Sequence, residues 1–580
     1  MAEPENGGNG SQPPKEMSME VRLLLAFVLM GVVMFVSQYY FKSTAPPPAA
    51  QKSAETAPAA DGKSAPAPAA AAAAPAEAPP VAEAKAEAPN PAATPQKSLP
   101  PLVIDTGLYQ VTLSNQGATV RSWLLTKFKG NDKKPLELLN TASGLPFPFS
   151  LSFPDKKPAK DVNWAWFEQT ADPDGLGVTY DYSDGHTTVQ KKFRFQKNSY
   201  ISNVETSVTI DGAPVAHRIG WHGGFGDLTI ANPSADERTL HFDATNNKLV
   251  EQTARDAKNG PMTVSGNFSF AGIADKYFAA VFLPQVSTTV DVTTISEGGH
   301  TALDPKPVQF PGLEVSDGAT NRFELFVGPK DVDLLTKINP KLGQVVDFGW
   351  LSVLAKPLFY IVNWFNDSFV HNFGWSIVVV TVIINFILFP LKLSNMKSMR
   401  KMQALKPQID AINAKYKSLK MTDPRKQEQQ QETMDLYKKN GVNPMGGCIP
   451  MLLQLPFFFA FYQVFTKSVE MRGAPWLWVT DLSQPEHLAI KVLPLLMIAS
   501  QFFMQKMTPQ ANADPSQQKM MMFMPLVFGY MFYWFPSGLV LYYLTSNLVS
   551  MGQQVFFNHT EAAQEAVRSV EPPKKKNGRK

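Results

Sequence analysis

Apolar and polar positions alternate through the middle of the chain, then apolar residues run together towards its end. Tyr109, Val111 and Leu113 alternate with polar neighbours, as do Phe193 and Phe195, and again Val204, Thr206, Val208 and Ile210. A period of two belongs to strands with one buried face. Clusters such as Asn115-Gln116-Gly117 and Asp184-Gly185 mark turns between them. Many short strands without βαβ spacing predict an antiparallel β-sandwich over 102–340.

Beyond it the period changes. Trp350, Leu354, Leu358, Ile361 and Phe365 follow helical spacing, with polar Ser352, Lys356, Asn363 and Asn366 between them, which predicts an amphipathic helix at 348–366 lying in a membrane interface. Five apolar runs then predict spans at 372–393, 448–468, 488–507, 519–535 and 537–556, the last two turning at Phe535-Pro536-Ser537-Gly538. A sixth candidate lies early, from Leu23 to Phe41, expected to be an uncleaved anchor rather than a signal peptide because Tyr39-Tyr40-Phe41 forms an interfacial belt. The tract 42–101, dominated by Ala, Pro, Lys and Glu, buries too little apolar surface to fold and is expected to be a disordered linker. The predicted class is a polytopic α-helical membrane protein of six spans carrying a large antiparallel β-sandwich outside the membrane.

Charge sets the orientation. The loop 394–447 carries eleven basic residues, from Lys397 to Lys439, against five acidic ones, and the tail 558–580 ends Lys574-Lys575-Lys576-Asn577-Gly578-Arg579-Lys580. Loop 469–487 has only Arg472 as a basic residue, beside Glu470, Asp481 and Glu486. The positive-inside rule then puts the N-terminal residues 1–22, the loop 394–447 and the tail in the cytoplasm and the β domain on the far side. Within the cytoplasmic loop, Met402, Leu405, Ile409, Ile412 and Tyr416 are spaced 3, 4, 3 and 4, and Thr422-Asp423-Pro424 reads as a cap, so a basic helical hairpin is expected at 394–440.

The net charge of +4 offers no field for nucleic acid, and the single Cys448 excludes a disulfide framework and Cys-based metal sites. His217 and His222 lack a convincing third ligand, so neither metal nor cofactor is expected. The candidate chemistry lies in the spans, where polar groups are costly. Thr381 and Asn385 share a helical face, with Lys392 seven residues beyond; Gln454, Phe458 and Tyr462 share another; Tyr543, Ser546, Asn547 and Ser550 form a stripe. Facing one another, these stripes line a wet groove; satisfied in pairs, they are interhelical glue. Ser394 and Lys397, or Ser398 and Lys401, have the spacing of a Ser/Lys hydrolase dyad, a short pattern in a Lys-rich loop. A small-solute transporter is a further alternative, without an evident inverted repeat.

Three longer motifs carry a resemblance: Asn443-Pro444-Met445-Gly446-Gly447-Cys448-Ile449-Pro450-Met451-Leu452-Leu453-Gln454-Leu455-Pro456, Gln505-Lys506-Met507, and Trp534-Phe535-Pro536-Ser537-Gly538-Leu539-Val540-Leu541-Tyr542-Tyr543. Together they resemble the YidC/Oxa/Alb family of membrane protein insertases, and the early span with a large soluble domain resembles its Gram-negative YidC form. The resemblance implies a periplasmic supersandwich and a five-helix core over 372–557 in the bacterial inner membrane. It implies no enzymatic activity, but a hydrophilic groove that receives nascent membrane-protein substrates and passes them to the lipid bilayer, alone or with the Sec translocon. It also implies ribosome contact by the basic tail. Its groove positions fall on Thr381, Gln454, Phe458, Tyr542 and Tyr543, with Ser546 added by its place on the stripe. The family's groove arginine is replaced here by Asn385, which leaves Lys392 or Lys397 to supply charge at the groove mouth.

Overall fold

The computed structural model describes residues 97–230, 233–285, 289–301, 306–416, 425–442, 449–507 and 525–560. The predicted first span, nearly all of the linker, the Thr422-Asp423-Pro424 cap, the Asn443–Cys448 part of the signature, the beginning of the 519–535 span and the basic tail lie outside those residues.

Between Leu102 and Pro329 every strand pairing is antiparallel. A ten-stranded sheet has Phe278–Pro284, Thr320–Pro329, Ile201–Ile210 and Thr187–Phe195 side by side at its centre; a five-stranded and a four-stranded sheet accompany it. The residues that set the period of two (Tyr109, Val111, Leu113, Phe193, Phe195, Val204, Thr206, Val208 and Ile210) are all buried, as the alternation requires. Tyr109 stacks on Trp123, and Trp221 packs against Trp123, Phe149 and Phe225, giving the domain an aromatic centre.

Helices follow. Helix α1 (Val332–Ile338) is capped by Asp331, whose side chain accepts from the Leu334 N–H. Helix α2 (Ser352–Phe365) occupies the predicted amphipathic segment: Ala355, Leu358, Phe359 and Val362 are buried, while Trp350, Val353, Tyr360, Ile361 and Trp364 are exposed. It runs into a π turn, Asn366–Val370, that ends on His371 in the left-handed region; Asn372 then caps α3 (Phe373–Ile387) by accepting from the Trp375 N–H. The chain bends by 116° between the two helical arms.

The predicted span 372–393 is not one helix. α3 ends at Ile387 and α4 (Phe389–Ala404) begins after Leu388, with Pro390 in its first turn, where a residue without an N–H is tolerated. Pro407 acts likewise at the start of α5 (Lys406–Lys415), and α6 (Arg425–Lys439) returns alongside. Met402, Leu405 and Ile409 of the predicted seam are buried against Tyr437 and Val442. The remaining helices are α7 (Ile449–Lys467), α8 (Val492–Met507), a stretch at 525–532, and α9 (Ser537–Asn558). Among the described residues no single helix is long and apolar enough to cross a membrane, although the bent pair Gly349–Val370 and Phe373–Ile387 is so taken together.

One apolar cluster joins the two halves. Leu240, Phe242, Phe270 and Phe326 of the large sheet, Leu335 of α1, and Val345 and Phe348 of the connector are continuous with Phe359, Ile377, Phe461 and Leu541 of the helices. Burying each large side chain contributes about 1.5–3 kcal/mol. A polar clamp adds to it: Arg472, in the loop after α7, pairs with Asp227 of the β domain and donates to the Lys129 carbonyl at 2.9 Å.

Candidate functional site

The candidate polar residues of α3 and α9, with Lys392 and Gln454, lie where these helices meet α4 and α7. On α3 the Thr381 hydroxyl donates to the Ile377 carbonyl (2.6 Å) and the Asn385 amide to the Thr381 carbonyl (2.8 Å), so both spend donors on their own helix. The Asn385 carbonyl oxygen faces outward and accepts from Lys392 Nζ at 2.6 Å and from Ser546 Oγ at 3.3 Å. Lys392 also donates to Ser550 Oγ (2.8 Å), and Gln454 Nε2 donates to Ser546 Oγ (3.4 Å).

Side chains of α3, α4 and α9, and of α7 through Ser546, thus gather around Asn385, which is 3% exposed, and the cation bonded to it is Lys392. Among the described residues no carboxylate forms an ion pair with it. Gln553 is a member that the sequence reading omitted: its amide donates to the Asn385 backbone carbonyl at 3.1 Å, while its own carbonyl oxygen is buried without a partner. It stands three residues beyond Ser550, so extending the stripe by one helical turn would have found it. Asn547 was in the stripe but turns to α8, donating to Ser500 (3.0 Å) and Gln501 (2.9 Å).

The aromatic candidates form a separate layer towards the Pro536 turn. Phe458 packs against Phe532, Phe535 and Tyr543, and Tyr542 against Phe461 at 4.4 Å. Gln454, which also hydrogen-bonds Tyr542, links this layer to the polar one. Lys397 is exposed and makes no bond to the cluster, and Thr381 reaches it only through Asn385. The turn is fixed by its own motif: the Ser537 N–H and hydroxyl donate to the Gln484 carbonyl (2.8 and 2.9 Å), and the Gly538 N–H to that of Leu482 (2.9 Å). These are donors that a helix N-terminus leaves without intrahelical partners.

The histidines of the β domain are engaged within it. His217 bonds Thr206 at 2.8 Å and His222 bonds Glu297 at 2.7 Å. Burial pushes His217 down to about 4. His222 rises above the usual range although burial opposes it, because the hydrogen bond and charge of Glu297 stabilise the protonated ring.

Residues 364–564 match the family model described as 60Kd inner membrane protein, and residues 101–361 match that of the YidC periplasmic domain. The membrane protein insertase YidC of Geotalea daltonii is 32% identical over 569 residues, 93% of this chain and 99% of that protein. That of Cupriavidus necator is 38% identical over 379 residues, 63% and 65% of the two chains. A crystal structure of an active YidC insertase with its first transmembrane domain resolved aligns with 81% of this chain and 95% of its own at 21% identity, with a TM-score of 0.36. With identity sustained from end to end of a full-length relative and family matches over both halves, the chain belongs to the YidC family of membrane protein insertases, non-enzymatic inner-membrane proteins with a periplasmic domain.

Proposed function

We propose that the chain spans the inner membrane six times, with both termini and the 394–440 hairpin in the cytoplasm. On this reading the cluster around Asn385 is a hydrophilic groove that accepts the polar extracytoplasmic part of a nascent membrane protein. Helix lengths support the spans: α7, with 19 residues, is about 28 Å long, and α9, with 22, about 33 Å. Exposed Phe386, Ile387, Phe503, Val555 and Phe556 offer an apolar surface to lipid.

The observation that supports the groove is that Lys392, bonded to Asn385 at 2.6 Å, stands in a buried cluster of polar side chains with no carboxylate partner among the described residues. On this reading the ammonium takes the place of a fixed groove charge, and the Gln553 carbonyl oxygen, buried without a partner, is an acceptor that a polar group of the substrate would satisfy. A polar segment entering this site avoids part of the cost of crossing hydrocarbon. Burial of the substrate's apolar span, at about 25 cal/mol per Å², then drives release into lipid without nucleotide or covalent chemistry. Phe458, Tyr542 and Tyr543 close the outer end. Lys397, outside the cluster, belongs to the cytoplasmic entry. The substrates are nascent membrane proteins, and the Sec translocon and the ribosome, through the basic tail, are the partners this reading adds.

The test is depletion and rescue in a Gram-negative host lacking its own insertase, scored by protease accessibility of a small single-span substrate. Rescue by wild type and loss with Lys392→Met or Asn385→Leu is the expected result. Rescue by both variants at wild-type rates makes the cluster structural glue.

A further inference from the structure

A cavity of about 140 Å³ lies between the β domain and the helices, walled on one side by Arg238, Asp275 and Lys330 and on the other by Asp347, Gln463 and Lys467. A water needs only about 10–15 Å³ in this measure, so there is room for a polyatomic ion. We propose that this cavity binds a phosphate group, held between Lys330 of the β domain and Lys467 at the end of α7.

The case is one of hydrogen-bond donors left over. Four acids and four bases share the wall, but most are already engaged. The Asp275 carboxylate accepts the backbone N–H groups of Asp227, Tyr277 and Phe278 at 2.6–2.8 Å. Asp347 accepts the Gly349 N–H at 2.7 Å, and Glu251 pairs with Arg238 at 3.4 Å. Lys276 lies over the Tyr277 ring. Those hydrogen bonds leave the carboxylates charged, so the wall is balanced in formal charge; what is left over, among the described residues, is donor capacity on two ammonium groups. Lys330 donates one bond, to the Asp275 carbonyl at 2.9 Å, and keeps two N–H groups; Lys467 makes no hydrogen bond or ion pair.

Two such lysines brought together from separate halves of the molecule repel each other. Burial first, and then Lys467, pushes Lys330 down to about 8. The helix C-terminus explains a cation at Lys467 but not its sharing a cavity with Lys330. A tetrahedral oxyanion accepting from both ammonium groups removes the repulsion through charge-assisted hydrogen bonds, and lysine is a regular phosphate binder. The wall includes Gly349, next to Trp350, which is 74% exposed at the start of the amphipathic helix. On the proposed topology, on which this part rests, that is the outer membrane surface, within reach of a phospholipid headgroup. Free inorganic phosphate is the other source.

The test uses the delipidated full-length protein in detergent, titrated with inorganic phosphate at constant ionic strength against chloride. The expected result is a saturable rise of several degrees in Tm for wild type, absent in Lys467→Met and retained in Lys467→Arg. Lys467 is the residue to change because it holds no contact that folding needs; a Tm of Lys467→Met at or above that of wild type in chloride, where the repulsion is relieved, verifies this. Native mass spectrometry of lipid-retaining preparations reads the second source: a phospholipid bound to wild type and lost from Lys467→Met assigns the headgroup. The phosphate arm is independent of topology, so an error in the span scheme removes only the lipid arm. Equal phosphate shifts and equal lipid retention in wild type and Lys467→Met overturn the proposal.

Discussion

Arg472 is the only Lys or Arg in the loop 469–487, and its removal should release the β domain from the helical core. Its guanidinium is 9% exposed and Asp227 is fully buried. The same group donates to the Lys129 carbonyl at 2.9 Å and lies 5.6 Å from the centre of the Phe278 ring. Arg472→Ala leaves the outer Asp227 oxygen without its cation, while the other keeps Thr229. Breaking a buried pair from one side costs about 3–5 kcal/mol, a large share of the roughly 5–15 kcal/mol that stabilises a protein. Local opening then becomes easier by at least ~3 kcal/mol, and amide exchange through 469–487 accelerates about a hundredfold. Hydrogen exchange on the full-length protein in detergent reads this directly. The double variant Asp227→Ala/Arg472→Ala should cost at least ~1.5 kcal/mol less than the sum of the singles, because neither charge is then stranded. Exchange within twofold of wild type in Arg472→Ala, or strict additivity of the two changes, would refute the clamp.

Two further perturbations test the packing and electrostatics. Lys191 is fully buried with its ammonium on the carbonyls of Gly117 (2.7 Å) and Phe149 (2.6 Å), and burial pushes it down to about 7. Between pH ~7 and its unfolded value near 10.4 the unfolded chain binds the extra proton, so stability rises with pH across that window, by at most about 1.4 kcal/mol per unit. Lys191→Met should remove that rise, measured as the difference between the denaturant midpoints of wild type and variant from pH 7 to 10; identical slopes would contradict it. A Cβ at Gly374 would meet Trp476 Cγ at 2.2 Å, so Gly374→Ala must displace an indole at its root. The overpacking should cost about 1–3 kcal/mol and lower Tm, and an unchanged Tm would show that the start of α3 moves freely against the loop.

The sequence by itself determined the strand domain, the amphipathic segment and the family. Period-two alternation at Tyr109, Val111 and Leu113 and the helical spacing of Trp350 to Phe365 are local properties of the chain; the structure buries the strand face, but of the helical one it buries Leu358 and leaves Trp350 and Ile361 exposed, the buried side being Ala355, Leu358, Phe359 and Val362. The Pro536-Ser537-Gly538 motif was legible for the same reason, although the carbonyls it binds, on Gln484 and Leu482, were not. Of the candidate groove, the stripes on α3 and α9 could be read from spacing, and Gln553 would have followed from one more turn.

Only the tertiary structure decided which polar groups meet. Lys392 lies seven residues beyond Asn385 in sequence, but that its ammonium bridges Asn385 to Ser550 of α9 follows from how α3, α4 and α9 pack. Arg472 reads as an orientation signal until folding places it on Asp227, 245 residues away. Lys330 and Lys467 are unremarkable in sequence and become a site by sharing one cavity. Periodicity records what each segment must bury; pairing across the molecule depends on how the buried faces stack, and no single segment carries that information.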